Sequence, residues 1–334
     1  MCHNFVRIDI GPCPCYTEAV DFRFLERQQL VTCRMSGVVM KYLEKHPIIM
    51  ILVGVFGISL SSIFVKYSSG PSAVTAAWRL LWTVVLMTPV VWGKREVRRE
   101  LLQVRRKVLY LSCVSGLFLA IHFVLWFESL QHTSVASSTT IVCTEVIWVS
   151  LGYWLFLKGR LTLKAICAIA VTLVGSIMIA FADSSASGAH LYGDILSLLA
   201  AVAVAAYVLL GRVVRETVST SVYTYIVYSA CAAVLMATCQ FQGYGLMDSG
   251  FSPVMVGLLL AVFSTILGHS IFSWCLKYFT PSFVSASKLC EPVVAALLAG
   301  FLFAEIPSAL QLSGGALILG GVAYYSGLER AGES

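Results

Sequence analysis

Charge is what this 334-residue sequence has least of: Asp, Glu, Lys and Arg make up 12% of it, against roughly 25% in a soluble domain. Too few polar side chains exist to cover the surface such a chain would present to water, so a soluble globular protein is excluded. The net charge of +6, from 23 Lys+Arg and 17 Asp+Glu, builds no dense basic face of the kind that phosphate contacts require, which excludes nucleic acid as a partner. No G-x-x-x-x-G-K-[ST] loop is present to hold ATP, and neither H-E-x-x-H nor G-x-S-x-G occurs to support intramembrane hydrolysis. Cys13 and Cys15 form CxC with Cys2 and Cys33 nearby, but the paired C-x₂-C spacing of a zinc site is missing, so no metal or cofactor is expected. The remaining cysteines lie in apolar runs, where a thiol behaves as a small hydrophobe. No N-x-[ST] site exists, Asn4 being the only asparagine, which fits a bacterial cytoplasmic membrane.

The first 46 residues lack the apolar run of about 7 to 15 residues that forms a signal-peptide core. They read as a polar cytoplasmic extension, and Met35 and Met40, just before the first apolar stretch, each offer a later start.

What is present in excess is apolar sequence, 58% of the chain, with a mean hydropathy of +0.85. An apolar stretch of about 20 residues crosses the bilayer core as a helix, which satisfies its own backbone there. Ten such stretches occur, at about 48–66, 72–92, 108–127, 133–156, 162–182, 193–211, 220–241, 254–276, 282–303 and 309–327. Positive charge tests the count, because Lys and Arg are retained in cytoplasmic loops. One set of connecting segments carries Arg34, Lys41, Lys45, the run from Lys94 to Lys107, Lys158, Arg160, Lys164, Arg212, Arg215, Lys277 and Arg330, whereas the opposite set carries only Lys66. Both termini are therefore expected in the cytoplasm.

Laying residues 48–185 over 195–328 at an offset of 147 superimposes span on span, with His122 on His269, Thr133 on Thr280 and Ser138 on Ser285. Five spans per half is an odd number, so the second half enters the membrane from the other side and the repeat is inverted. The expected organisation is an extension over 1–46, one repeat over 47–185 and a second over 190–328. Two halves so related can rock about a shared midplane site and open it alternately to either side.

The second half runs Thr280-Pro281-Ser282-Phe283-Val284-Ser285-Ala286-Ser287 into Glu291-Pro292-Val293-Val294-Ala295-Ala296, then Phe303-Ala304-Glu305 and the glycine-rich Leu312-Ser313-Gly314-Gly315-Ala316. The first half echoes it in Thr133-Ser134-Val135-Ala136-Ser137-Ser138 and Trp78-Arg79, although Lys158 stands where the repeat has Glu305. On these segments the sequence resembles the drug/metabolite transporter superfamily, specifically its EamA-domain exporters, over residues 48–327. The resemblance implies ten helices around a central cavity, exporting small organic metabolites. It selects no substrate among amino acids, sugars, sugar conjugates and drugs.

Ionisable residues at membrane depth cost several kcal/mol if they face lipid, about 2.5 to 3.5 on insertion scales, so they face a cavity or a partner. Glu145 lies mid-span in the fourth stretch and Glu291 mid-span in the ninth. Lys288 precedes Glu291 at i, i+3, where the two share a helix face and can neutralise each other. Pro292 cannot donate a backbone hydrogen bond and crowds the Lys288 carbonyl, which predicts a kink. Arg79, in the second stretch, needs a partner, and Glu145 is a geometric possibility. His122, toward the outer side, and His269, toward the cytoplasm, occupy equivalent positions suited to gating or proton relay. Trp126, Trp148 and Trp274 are placed to line the cavity, while Trp78, Trp92 and Trp154 sit nearer span ends, where aromatic belts form. The candidate substrate or proton site is thus Glu145, Lys288, Glu291, His122, His269, Trp126 and Trp274, with Arg79 and Pro292 structural or gating. The expected partners are a small-molecule substrate, the bilayer and protons as coupling ion. A facilitator or exchanger on the same bundle, or less readily an intramembrane enzyme, is the alternative.

Overall fold

The computed structural model describes residues 46–332 apart from 66, 134, 184–190, 295–296 and 299–307. Most of the expected extension, with its CxC pair, and the Phe303-Ala304-Glu305 motif lie outside the described residues. From Pro47 onward the described residues form helices joined by short turns: α1 (Pro47–Ser59), α2 (Ser61–Val65), α3 (Ser72–Gly93), α4 (Arg95–Leu102), α5 (Arg106–His132), α6 (Val135–Cys143), α7 (Glu145–Leu157) and α8 (Leu163–Asp183). There follow α9 (Leu191–Arg215), α10 (Thr220–Phe241), α11 (Ser252–Leu259), a π-helical run Leu260–Ser270, α12 (Ile271–Cys275), α13 (Pro281–Lys288) and α14 (Ala309–Ala331).

Among the described residues seven helical runs are long and apolar enough to cross a membrane: Pro47–Val65, Ser72–Gly93, Arg106–His132, Ser138–Leu157, Leu191–Arg215, Thr220–Phe241 and Ser252–Cys275. Two more expected spans are helical as α8, whose apolar run is the shorter Leu163–Met178, and as α14. The remaining one, 282–303, is described only in part. Leu52, Phe156, Leu163 and Phe181 are each more than 60% exposed, the pattern of side chains that face lipid.

Close approach between helices follows from small residues, as expected where no hydrophobic effect draws helices together within lipid. The most extensive contacts are α9 on α5 and α14 on α8. Ala200 and Ala201 of α9 are fully buried, and a Cβ on Gly175 of α8 would fall 2.5 Å from the Gly314 carbonyl oxygen of α14. The tryptophans expected near span ends divide: Trp92 and Trp154 are 44% and 58% exposed, while the Trp78 indole donates to the Leu246 carbonyl at 2.9 Å.

Three irregularities shape the interior. Between α6 and α7 the helix tightens at Thr144, whose N–H bonds the Ile141 carbonyl at 3.0 Å while the Ile147 N–H bonds the Thr144 carbonyl at 2.9 Å. These are i→i−3 bonds in place of i→i−4. After α13 the same tightening recurs: Leu289 N–H bonds the Ala286 carbonyl at 3.1 Å and Cys290 N–H the Ser287 carbonyl at 3.2 Å. The turn at 289–290 is where Pro292 predicts a kink. The third irregularity, the π run Leu260–Ser270, replaces the regular helix expected over 254–276. Its side chains bond carbonyls five residues back, Thr265 to Leu260 at 3.2 Å and Ser270 to Thr265 at 3.1 Å. Extended π helix is rare and concentrates at functional positions.

Candidate functional site

Both tightened turns deliver a glutamate to the interior, Glu145 at the first residue of α7 and Glu291 directly after the turn at 289–290. A carboxylate at a helix start is favoured by the helix dipole. Glu145 is 4% and Lys288 9% exposed, and the Lys288 ammonium donates to Glu145 Oε1 at 2.7 Å. A buried ion pair holds only with good geometry, and this one joins the first repeat to the second. The neighbour at i, i+3 is thus not the partner of Lys288: the fold brings Glu145 within hydrogen-bond reach instead. Glu291 has no hydrogen bond or ion pair through its carboxylate among the described residues, although its carbonyl accepts from Ser59 Oγ at 3.3 Å.

Arg79, 1% exposed, donates from Nε to Thr265 Oγ1 in the π run at 2.8 Å and stacks over the Phe123 ring at 4.4 Å. Thr265 therefore takes the place that Glu145 was a candidate for. Its Oγ1 also reaches the Leu260 carbonyl, so the π register places the acceptor that holds Arg79.

Arg79, Glu145 and Lys288 line one cavity of about 60 Å³ between the two repeats, together with His122, Phe123, Trp126, Thr139, Cys143, His269, Glu291 and neighbours. That is room for roughly four waters. The histidines expected at opposite ends face this one space, with the Phe123 ring 5.2 Å from His122 and 5.6 Å from His269 between centroids. His122 Nδ1 lies 3.0 Å from the Ala200 carbonyl, and because a carbonyl only accepts, Nδ1 carries the hydrogen and Nε2 is left to accept. The His122 ring stacks on Trp126 at 6.2 Å. Trp274 is not among the lining residues: it packs on Tyr278 at 4.4 Å. Trp148, too, is absent from the lining.

Four buried polar atoms on residues lining the cavity, Ser61 Oγ, Arg79 Nη1, Trp126 Nε1 and Thr139 Oγ1, find no protein partner among the described residues. Buried polar groups in folded proteins are nearly always satisfied. Two of these atoms are obligate donors and two are hydroxyls, and Glu291 adds an acceptor. Together they present to a guest what the protein itself leaves unmatched. Sequence reasoning missed Ser61, Phe123, Thr139 and Thr265. The available signal for Ser61, Thr139 and Thr265 was a hydroxyl inside an apolar span, but such hydroxyls are too common to single these out, and Phe123 in an apolar run carries no signal at all. No group of three or more potential metal ligands occurs among the described residues.

Two helical repeats around a polar, unmatched interior define a membrane protein whose business is at its centre. The EamA-like transporter family matches twice, over residues 45–181 and 191–327, and the chain belongs to that family. An uncharacterized transporter of Archaeoglobus fulgidus is 24% identical over 287 residues, covering 84% of this chain and 98% of the relative. The uncharacterized transporter YxxF of Bacillus subtilis is 24% identical over 234 residues, 70% of each chain. A solved crystal structure, 18% identical, matches with a TM-score of 0.71 over 87% of this chain and 99% of its own, which shows the shared fold. The protein is an integral multi-pass membrane transporter, not an enzyme.

Proposed function

We propose that the protein is a secondary transporter that exports a small organic metabolite, amino acid-like or amphipathic, across the cytoplasmic membrane by alternating access, with protons as coupling ion. Ten spans and cytoplasmic termini are part of this reading, supported by the asymmetry of Lys and Arg along the chain. The observation that carries it is a cavity walled by both repeats and bridged by the Glu145–Lys288 pair, because a site shared by two inverted halves is what rocking exposes to each side in turn. Donors on Arg79 and Trp126, with the Glu291 carboxylate on the same cavity, suit a guest bearing both an acceptor and a cationic group, and the His122, Phe123 and Trp126 rings suit an apolar body. The site holds room for only a few waters, so admitting substrate requires the halves to part.

The test is pH-dye fluorescence inside proteoliposomes of the purified protein as pools of amino acids, sugars and amphipathic drugs are added one at a time. Substrate-dependent proton movement is the expected result. Flux of a pool with no proton movement would move the reading to exchange or facilitation.

A further inference from the structure

Within the transport reading above, and resting on it, we propose that Lys288 is a partner-switching latch: it ties the two repeats together through Glu145 while Glu291 is protonated, and releases that tie when Glu291 ionises and competes for the same ammonium. Lys288 and Glu291 belong to the second repeat and Glu145 to the first. Of the two carboxylates available to Lys288, one reaches across the repeats and the other stays within its own. Bonding to Glu145 at 2.7 Å therefore locks the halves. Bonding to Glu291 satisfies the second half alone and removes the tie, and the Glu145 carboxylate it releases is hydrated as the halves part.

The structure is the locked arrangement. Glu145 takes the ammonium, and the Glu291 carboxylate faces the same cavity with no hydrogen bond or ion pair among the described residues. One cation on one anion is complete when Glu291 is a neutral carboxyl. When it ionises, two carboxylates contend for one ammonium, and an unpaired buried charge is costly enough to drive rearrangement. The tightened turn at 289–290 stands between Lys288 and Glu291, so a small change there alters their separation without unfolding α13.

The other charged or titratable groups facing this cavity are Arg79, His122, His269 and Cys143. Arg79 is the competing cation, but its Nε is held by Thr265 and its plane by Phe123. His122 Nδ1 is committed to the Ala200 carbonyl. His269 sits among the rings of Phe123 and Tyr207. The proton that neutralises Glu291 enters from water on the side to which the cavity is open and closes the tie, and it leaves to water on the other side as the tie releases and the halves part there. No other bond is made or broken.

Cys143 lines the cavity and immediately precedes the turn that presents Glu145, which makes it a native reporter of the latch. The experiment measures its rate of alkylation by N-ethylmaleimide in proteoliposomes, by peptide mass spectrometry, across a pH series in the wild-type and Glu291→Gln proteins. Taking the ratio of wild-type to variant rate at each pH removes the part of the thiolate's pH dependence that the two proteins share. The amide that Glu291→Gln introduces cannot ionise, so the latch stays shut in the variant. The expected ratio is near one at acid pH and rises by up to about tenfold per pH unit as Glu291 ionises in the wild type, the slope of a single linked proton. Glu145→Gln, which removes the cross-repeat acceptor, is expected to give fast alkylation already at acid pH. Arg79→Lys, checked for folding by circular dichroism, keeps the rise. A flat ratio, or a rise abolished by Arg79→Lys in a folded sample, overturns the latch. Substrate flux measured in the same vesicles separates the two readings: flux with a flat ratio sinks the latch alone, and a rising ratio without flux of any pool supports the latch while counting against the transport reading.

Discussion

The two repeats tighten at nearly the same place with different chemistry. In the first, Thr144 tightens the helix ahead of Glu145: its Oγ1 donates to the Ile141 carbonyl at 2.6 Å, the local side-chain bond that bends helices. In the second, Pro292 lacks the N–H that would bond the Lys288 carbonyl, and the chain makes two i→i−3 bonds at 289–290 instead. Neither residue type recurs in the other half, since Thr144 aligns with Glu291 and Glu145 with Pro292 at the repeat offset. What the two halves share is therefore a tightened turn within a residue or two of the same repeat position and a carboxylate just beyond it, with a threonine at the turn in one half and a proline after it in the other.

The most damaging way to break this correspondence is to remove the cation that joins the two bends. Lys288→Met leaves Glu145 buried without a partner and is expected to destabilise the protein by about 3 to 5 kcal/mol, read as a lowered Tm in detergent. The double variant Lys288→Met with Glu145→Gln restores most of that loss, because a neutral amide replaces the stranded charge. Failure of the second substitution to restore Tm would show that Lys288 acts through packing on Phe272, 5.5 Å away, and not through charge.

Pro292→Ala comes next. An alanine restores the missing N–H and removes a residue that disfavours helix interiors by about 3 kcal/mol. The variant is expected to fold with unchanged or higher Tm and to lose about tenfold in flux, a change of roughly 1.4 kcal/mol in barrier. Stability and activity moving in opposite directions is the signature of a bend kept for function. Unchanged flux would reduce the bend to an accident of sequence. Thr144→Val gives the smaller version of the same result, since only one side-chain bond, worth about 0.5 to 1.5 kcal/mol, is lost.

Legibility follows the same division between what is local and what is not. The helical repeats were readable because apolar length and the alternation of positive charge are properties of the chain itself. Glu145, Lys288 and Glu291 were readable as site candidates because a charge in an apolar run stands out. Their pairing was not. Sequence spacing offers Lys288 the neighbour at i, i+3, and only the folding of one repeat against the other brings Glu145, 143 residues away, to 2.7 Å. The π run was equally hidden, since a few hydroxyls and one histidine scattered through the apolar residues 254–276 do not announce a change of register.

The tryptophans give the finest form of the comparison, because Trp126, Trp148 and Trp274 were expected in the cavity and only Trp126 lines it. Trp126 stacks with His122 and carries an indole N–H with no protein acceptor among the described residues, so it is placed to meet a guest. Trp274, in the other half, packs on Tyr278 beside α12, and the residue that aligns with Trp126 at the repeat offset is Ser273, whose hydroxyl bonds Tyr207 at 2.9 Å. Trp126→Phe, which keeps an aromatic ring and removes the N–H, is expected to weaken apparent substrate affinity about threefold to tenfold, the worth of one hydrogen bond. Trp274→Phe is expected to leave flux and apparent affinity within about twofold of wild type, since neither depends on a ring outside the cavity. Equal losses in both variants would mean that the cavity extends past His269 toward Tyr278 when the halves part, and that the second repeat also contributes an aromatic wall in a state other than the closed one.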